Sequence, residues 1–116
     1  MLPAPHRLRG DANFTRLLKH GRRFFTPRMM LRIVPNDDRL SRFAFVVSTR
    51  VHKKAVHRNR IKRQMREIVR KELPNIRGGY DGLIAVKKEA LALTFQELQS
   101  ELVDLLSKAR LLIPKK

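Results

Sequence analysis

The chain has 116 residues, with 27 Lys or Arg against 10 Asp or Glu, a net charge of +17 at pH 7. That length suits a single domain spanning 1–116, and a hydrophobic content of 42% is too high for a disordered basic tail. The absence of Cys excludes disulfides, thiolate zinc sites and thiol nucleophiles, and no apolar run approaches the ~20 residues of a membrane span.

The first residues, Met1 to Arg7, lack the apolar stretch of a secretory signal. Asp11 is placed to cap a short helix that carries Phe14, Leu17 and Leu18 on one face and stops at Gly21. Arg22 to Pro27 breaks the periodicity. Met29 to Val34 reads as a strand, with Met29, Leu31 and Ile33 alternating against Met30, Arg32 and Val34, and Pro35 to Asp38 supplies turn chemistry. Phe43 to Ser48, almost wholly apolar, predicts a central strand buried on both faces.

A basic helix is expected from about Lys54 to Leu73, ended by Pro74. Gly78-Gly79 belongs to a loop, and Leu83 to Val86 reads as a second buried strand. Thr94 and Glu97 form a capping box for the last helix, whose apolar positions Phe95, Leu98, Leu102, Leu105, Leu106 and Ala109 continue toward a stop at Pro114. The expected fold is α+β, a small sandwich with helices packed on a β-rich sheet in the order α-β-β-α-β-α.

The charge is concentrated in the first two thirds. Residues 1–73 hold 20 basic and 5 acidic side chains, whereas 74–116 hold 7 and 5. Such a one-sided field calls for a polyanion, and nucleic acid fits better than a membrane surface, which needs a basic helix with bulky apolar residues free to enter lipid. In the basic helix, Ile61, Met65, Ile68 and Val69 share a narrow face suited to docking on a core. Arg58, Lys62, Arg66 and Arg70 form an i+4 row beside it, with Asn59 and Arg63 next to that row. The cations rise ~6 Å from one to the next, near the phosphate spacing of a nucleic-acid strand. A charge run is more often just a solvated face. Here the run has almost one sign, only Glu67 and Glu72 offer local pairing, and like charges at i+4 repel.

The segment Arg58-Asn59-Arg60-Ile61-Lys62-Arg63-Gln64-Met65-Arg66-Glu67 resembles the signature of the protein subunit of bacterial ribonuclease P. The helix with Phe14, Leu17, Leu18 and Gly21, the run Phe45 to Ser48 and the run Ile84 to Lys87 follow in the family's order, so the resemblance covers nearly the whole chain. It implies a protein that binds a large catalytic RNA, in a holoenzyme that removes the 5′ leader from precursor tRNA in the cytoplasm. Hydrolysis belongs there to the RNA and to Mg²⁺ bound mainly by RNA and substrate. The protein is expected to be monomeric within the holoenzyme. The family's fold has an unusual left-handed βαβ crossover through the Arg-Asn-Arg helix, where general rules predict a right-handed one.

Carried over by position, Arg58, Asn59, Arg60, Lys62, Arg63, Arg66 and Arg70 are the expected contacts to the catalytic RNA. Phe14, Leu18, Arg50, Lys54 and Lys87 match the family's leader cleft. Leu18 stands where many members carry an aromatic, Thr49-Arg50 replaces the usual Lys-Lys, and Arg32 stands where some have Tyr; guanidinium stacking is one way Arg32 could substitute. Phe14 is equally well read as a core residue of its helix.

No catalytic side chain is expected in the protein. Asp37 and Asp38 are adjacent in a turn and the other acids are scattered, so no metal-binding carboxylate cluster is evident. His52 and His57 are about 140° apart on a helix and so share no face, and Gly78-Gly79 is too short for a phosphate-cradling loop. The main alternative is a ribosomal or other structural RNA-binding protein. A factor reading DNA with the basic helix is disfavoured, because a groove-reading helix must stand away from its domain.

Overall fold

A computed structural model describes residues 2–113. Helix α1 (Asp11–His20) is followed by strands β1 (Arg22–Thr26), β2 (Met29–Pro35) and β3 (Arg42–Val46), then by α2 (Ala55–Glu72), β4 (Tyr80–Val86) and α3 (Phe95–Lys108). Short 3₁₀ turns occupy Ala4–His6, Leu73–Asn75 and Lys88–Ala92. The four strands form one sheet in the order β1-β2-β4-β3, antiparallel except for the β3/β4 pair. Helix α2 therefore links two adjacent parallel strands.

Alternation along the strands assigns each sheet face its partners. Met29, Leu31 and Ile33 of β2, Phe43 of β3, and Ile84 and Val86 of β4 enter one large core. There they meet Ile61, Met65, Ile68 and Val69 of α2 and Leu98, Leu102, Leu105 and Leu106 of α3. Gly82 pairs with Phe43 in the register, and a Cβ on Gly82 would lie 2.9 Å from the Phe43 ring. The ring thus takes the space that a side chain on β4 would fill. On the opposite face a smaller cluster joins Leu17 of α1 to Leu8, Val34 and Leu83, with Phe14 and Ala44 packed against it.

Two ionic clasps complete the packing. Asp81, fully buried on the α1 side, accepts from Arg16 Nη2 at 2.7 Å, from Arg42 Nε and Nη2 at 2.9 Å, and from Asn36 Nδ2 at 2.9 Å. One carboxylate so ties α1, β3 and the β2–β3 turn together. On the other side Glu101 of α3 accepts from the Thr26 hydroxyl and the Arg28 amide at 2.8 Å, and from Arg28 Nη1 at 2.9 Å. Burial pushes the Glu101 carboxyl up, but the Thr26 and Arg28 donors outweigh it and hold the group below the usual carboxylate range.

Several expectations are corrected. Arg22–Thr26 is a strand, so the observed order is α-β-β-β-α-β-α. Its sequence conceals this, because two adjacent arginines and two adjacent phenylalanines show no alternation, although Phe24 faces the core and Phe25 is half exposed. The third strand is an edge strand and not a central one; Val46 is exposed, and on its outer side the Leu8 N–H donates to the Phe43 carbonyl near the Arg7 bridge. Asp11 is the first helical residue rather than the cap, a place taken by Gly10 at φ 95°. The Thr94–Glu97 capping box is present as expected. Helix α3 ends earlier than expected, at Lys108, with Arg110 at φ 58°; the expected stop at Pro114 lies outside the described residues.

Removing the Asp81 carboxylate leaves two guanidiniums facing each other. Because the arginine side chains remain 34% and 26% exposed, Asp81→Ala is expected to cost ~1–3 kcal/mol, less than the ~3–5 of a fully buried pair, as read by denaturant unfolding. Glu101 supplies a pH signature. A carboxyl with a depressed folded pKa stabilises fully above its unfolded value and loses that stability as pH falls through the folded value. Glu101→Gln should therefore lower stability at neutral pH and flatten the acid limb below about pH 4.3 in a pH series of melts.

Candidate nucleic-acid interface

Helix α2 forms because its apolar positions repeat at helical spacing and dock on the sheet; its N-cap, Lys54, makes no side-chain cap. Arg58 secures the approach to the helix in another way, by donating to the loop that precedes it. Its Nη1 donates to the carbonyls of His52 (2.9 Å) and Lys53 (2.7 Å), closing the β3–α2 loop onto the first turn. With Ile61, Met65, Ile68 and Val69 buried, Asn59, Arg60, Arg63 and Arg66 are exposed, and Lys62 is half-buried beside them. Arg70 differs, because its Nε donates to Glu67 at 2.9 Å. That bond holds the Glu67 carboxyl at about 2. The row is thus one-signed from Asn59 to Arg66 and locally neutralised at Arg70.

The loop before α2 brings His52 and His57 together, with ring centroids 4.3 Å apart. This corrects the helical-wheel expectation, which fails because His52 precedes the helix. The His52 Nδ1 accepts from the Lys54 amide at 3.0 Å. Desolvation, then the charges of His57, Lys54, Arg58 and Arg60, push its imidazole below the ordinary value. A neutral ring is accordingly favoured at neutral pH.

The residues matched to a leader cleft separate into two groups. Phe14 is half-buried in the small cluster, while Leu18 on the same helix is 58% exposed. Arg50 and Lys54 line a different cleft of about 540 Å³ where the parallel strands β3 and β4 end, together with His52, Lys88 and Leu91. Lys87 is exposed just past β4, in alternation with Asp81, Leu83 and Ala85 and so on the α1 side of the sheet.

That side is only partly covered by α1. Beyond the helix, the register sets Phe25, Met30, Ala85 and Val46 side by side across all four strands. Phe25 and Val46 are 49% and 41% exposed. The basic helix and this open apolar shelf thus lie on opposite faces of one sheet. Sequence patterning misses the shelf, because Phe25 belongs to the unrecognised strand and Val46 to the misplaced one. It also misses a groove of about 220 Å³ at the β3 edge, where Arg7 and Arg9 lie with Phe45 and Arg66 of α2.

Among the described residues no group of three or more His, Cys, Asp or Glu side chains could hold a metal ion, and no helix is long and apolar enough to cross a membrane.

Comparison with known proteins gives a consistent picture. The family model described as Ribonuclease P matches residues 2–110. The ribonuclease P protein component of Synechococcus elongatus is 38% identical over 116 residues, covering 96% of this chain and 95% of that protein. That of Chloroflexus aurantiacus is 40% identical over 108 residues, covering 92% and 79%. Among solved structures, the Staphylococcus aureus RNase P protein superposes with a TM-score of 0.85 at 25% identity, over 92% of this chain and 97% of that one. The RNase P protein from Thermotoga maritima gives 0.81 at 27% identity, over 88% and 96%. With sequence, fold and basic helix in agreement, the chain belongs to the ribonuclease P protein family.

Proposed function

We propose that this chain works as the protein subunit of a cytoplasmic ribonuclease P holoenzyme. It binds the catalytic RNA through α2 and the single-stranded 5′ leader of precursor tRNA through the opposite side of the sheet. In this reading the protein adds affinity and alignment to endonucleolytic removal of the leader. The hydrolysis itself, with Mg²⁺, belongs to the RNA and substrate.

The observation that carries the reading is the separation of two unlike surfaces by one sheet. The exposed Asn59, Arg60, Arg63 and Arg66 form a cationic ridge suited to phosphates of a folded RNA. Lys62 flanks that ridge, Arg58 combines it with closure of the loop, and Arg70 adds to it at the far end through a guanidinium shared with Glu67. The other side offers Phe14, Leu18 and the apolar shelf, with Lys87 at its margin. Apolar platforms beside cations are what a single strand of bases and phosphates needs. Arg50 and Lys54, with Lys88, extend the positive field at the end of the parallel strands. A purely structural RNA-binding protein needs the ridge but has no use for a second, open surface.

Two measurements test this assignment. Replacing Arg60, Arg63 and Arg66 together by Ala should weaken assembly with the RNA subunit and reduce the log–log salt slope of binding by ~0.7–0.9 for each phosphate that is no longer neutralised. An unchanged slope would mean that the ridge meets no RNA. Phe14→Ala should reduce the holoenzyme's preference for leader-bearing over mature tRNA by roughly five- to tenfold, in line with the loss of one stacked base. A drop in melting temperature with the preference intact would assign Phe14 to the core alone.

A further inference from the structure

We propose that Arg23 of β1 and Arg32 of β2 form a clamp for one phosphate of the single strand that crosses the open face of the sheet. The inference rests on the leader-binding reading above and deepens it, by naming the bound group as a backbone phosphate and the two side chains that take it.

The register sets Arg23 directly opposite Arg32 in the antiparallel β1/β2 pair. Their neighbours Phe24, Leu31 and Ile33 turn into the large core, so both arginines project to the α1 side. Directly opposed side chains have Cβ atoms about 4.5–5.5 Å apart, and like charges so placed destabilise the pair. The protein does not relieve this repulsion internally. Neither arginine makes an ion pair among the described residues. The carboxylate on that face of β4, Asp81, is already taken by Arg16, Arg42 and Asn36.

Arg32 is held but not satisfied. Its Nη1 makes a long 3.3 Å bond to the Leu18 carbonyl at the end of α1, while its Nε is buried without an acceptor. A buried guanidinium donor lacking a partner is costly. The buried Nε lies out of reach from solvent, so an oxyanion would be met by the Nη groups of the two forks, where its charge cancels the repulsion, which a neutral base cannot do. Arginine forks suit phosphate in particular. Arg23 is exposed, which leaves the pair open from solvent. The adjoining row is the apolar shelf of Phe25, Met30, Ala85 and Val46, so a base next to the clamped phosphate has a surface to lie on.

The test uses the holoenzyme assembled from the full chain and its RNA subunit. Dissociation constants are measured for mature tRNA and for precursor tRNA whose leader phosphates are replaced one at a time by neutral methylphosphonates. At one linkage the wild type should lose about tenfold in affinity, the scale of a charge-assisted hydrogen bond. Arg23→Gln and Arg32→Gln should each cause a similar loss for leader-bearing substrate only, and the methylphosphonate effect should vanish in both. Arg32→Lys, which keeps the charge but loses the fork, should retain part of the affinity and more of it than Arg32→Gln. Arg23 lies on an exposed strand edge, so its variant separates binding from folding. A wild-type leader preference that survives both glutamine variants overturns the clamp while leaving the leader reading standing. Retention of the preference by Arg32→Tyr, with every methylphosphonate silent, overturns it in favour of stacking. A wild type without any leader preference overturns both.

Discussion

The period-two alternation of β2 and β4 is the constraint from which the other features follow. These central strands place Met29, Leu31, Ile33, Gly82, Ile84 and Val86 on one side, where two long helices cover them. The other side receives Met30, Arg32, Val34, Asp81, Leu83 and Ala85, a mixed set that one ten-residue helix covers only in part. A one-residue slip of register would exchange the two sets and bury Arg32 and Asp81 in the main core. The sheet therefore has a fully packed face and a partly open one, and the difference is fixed before any ligand is considered.

The positive charge follows the same division. A chain at +17 repels itself, and the fold answers with its few acids at decisive points. Asp81 gathers Arg16, Arg42 and Asn36 beneath α1, and Glu101 takes Arg28 and Thr26 where the β1–β2 turn meets α3. Glu67 quiets the last cation of the α2 row. Each of these bonds holds an element in place, and none lies within the stretch from Asn59 to Arg66. The fold is stabilised around its cationic ridge, and these ion pairs leave that ridge exposed from Asn59 to Arg66.

What was legible in the sequence was whatever repeats locally. The α2 face of Ile61, Met65, Ile68 and Val69, the alternation of Met29 to Val34 and the Thr94–Glu97 box are all short-range patterns, and all appear as expected. What was hidden depends on neighbours far along the chain. Phe43 to Ser48 looks central because it is apolar, yet strand order is a property of the sheet, and the strand that forms there, Arg42–Val46, lies at its edge. Arg22 to Thr26 becomes a strand only because β2 offers it a partner. The His52–His57 pairing exists because the helix begins at Ala55, which leaves His52 in the preceding loop and free of the wheel's geometry.

Family membership and physical reading constrain different things. The likeness in sequence and fold fixes which class of protein this is, but it is blind to side chains particular to this chain. The cross-strand meeting of Arg23 and Arg32 follows from the register. A sheet optimised only for stability would not set two such charges face to face. In the proposed clamp their cost is offset when an anion arrives, which would make this face more stable occupied than empty. On that proposal, binding free energy would be drawn partly from relief of a repulsion already present in the free protein, and ligands lacking charge at that point would gain none of it.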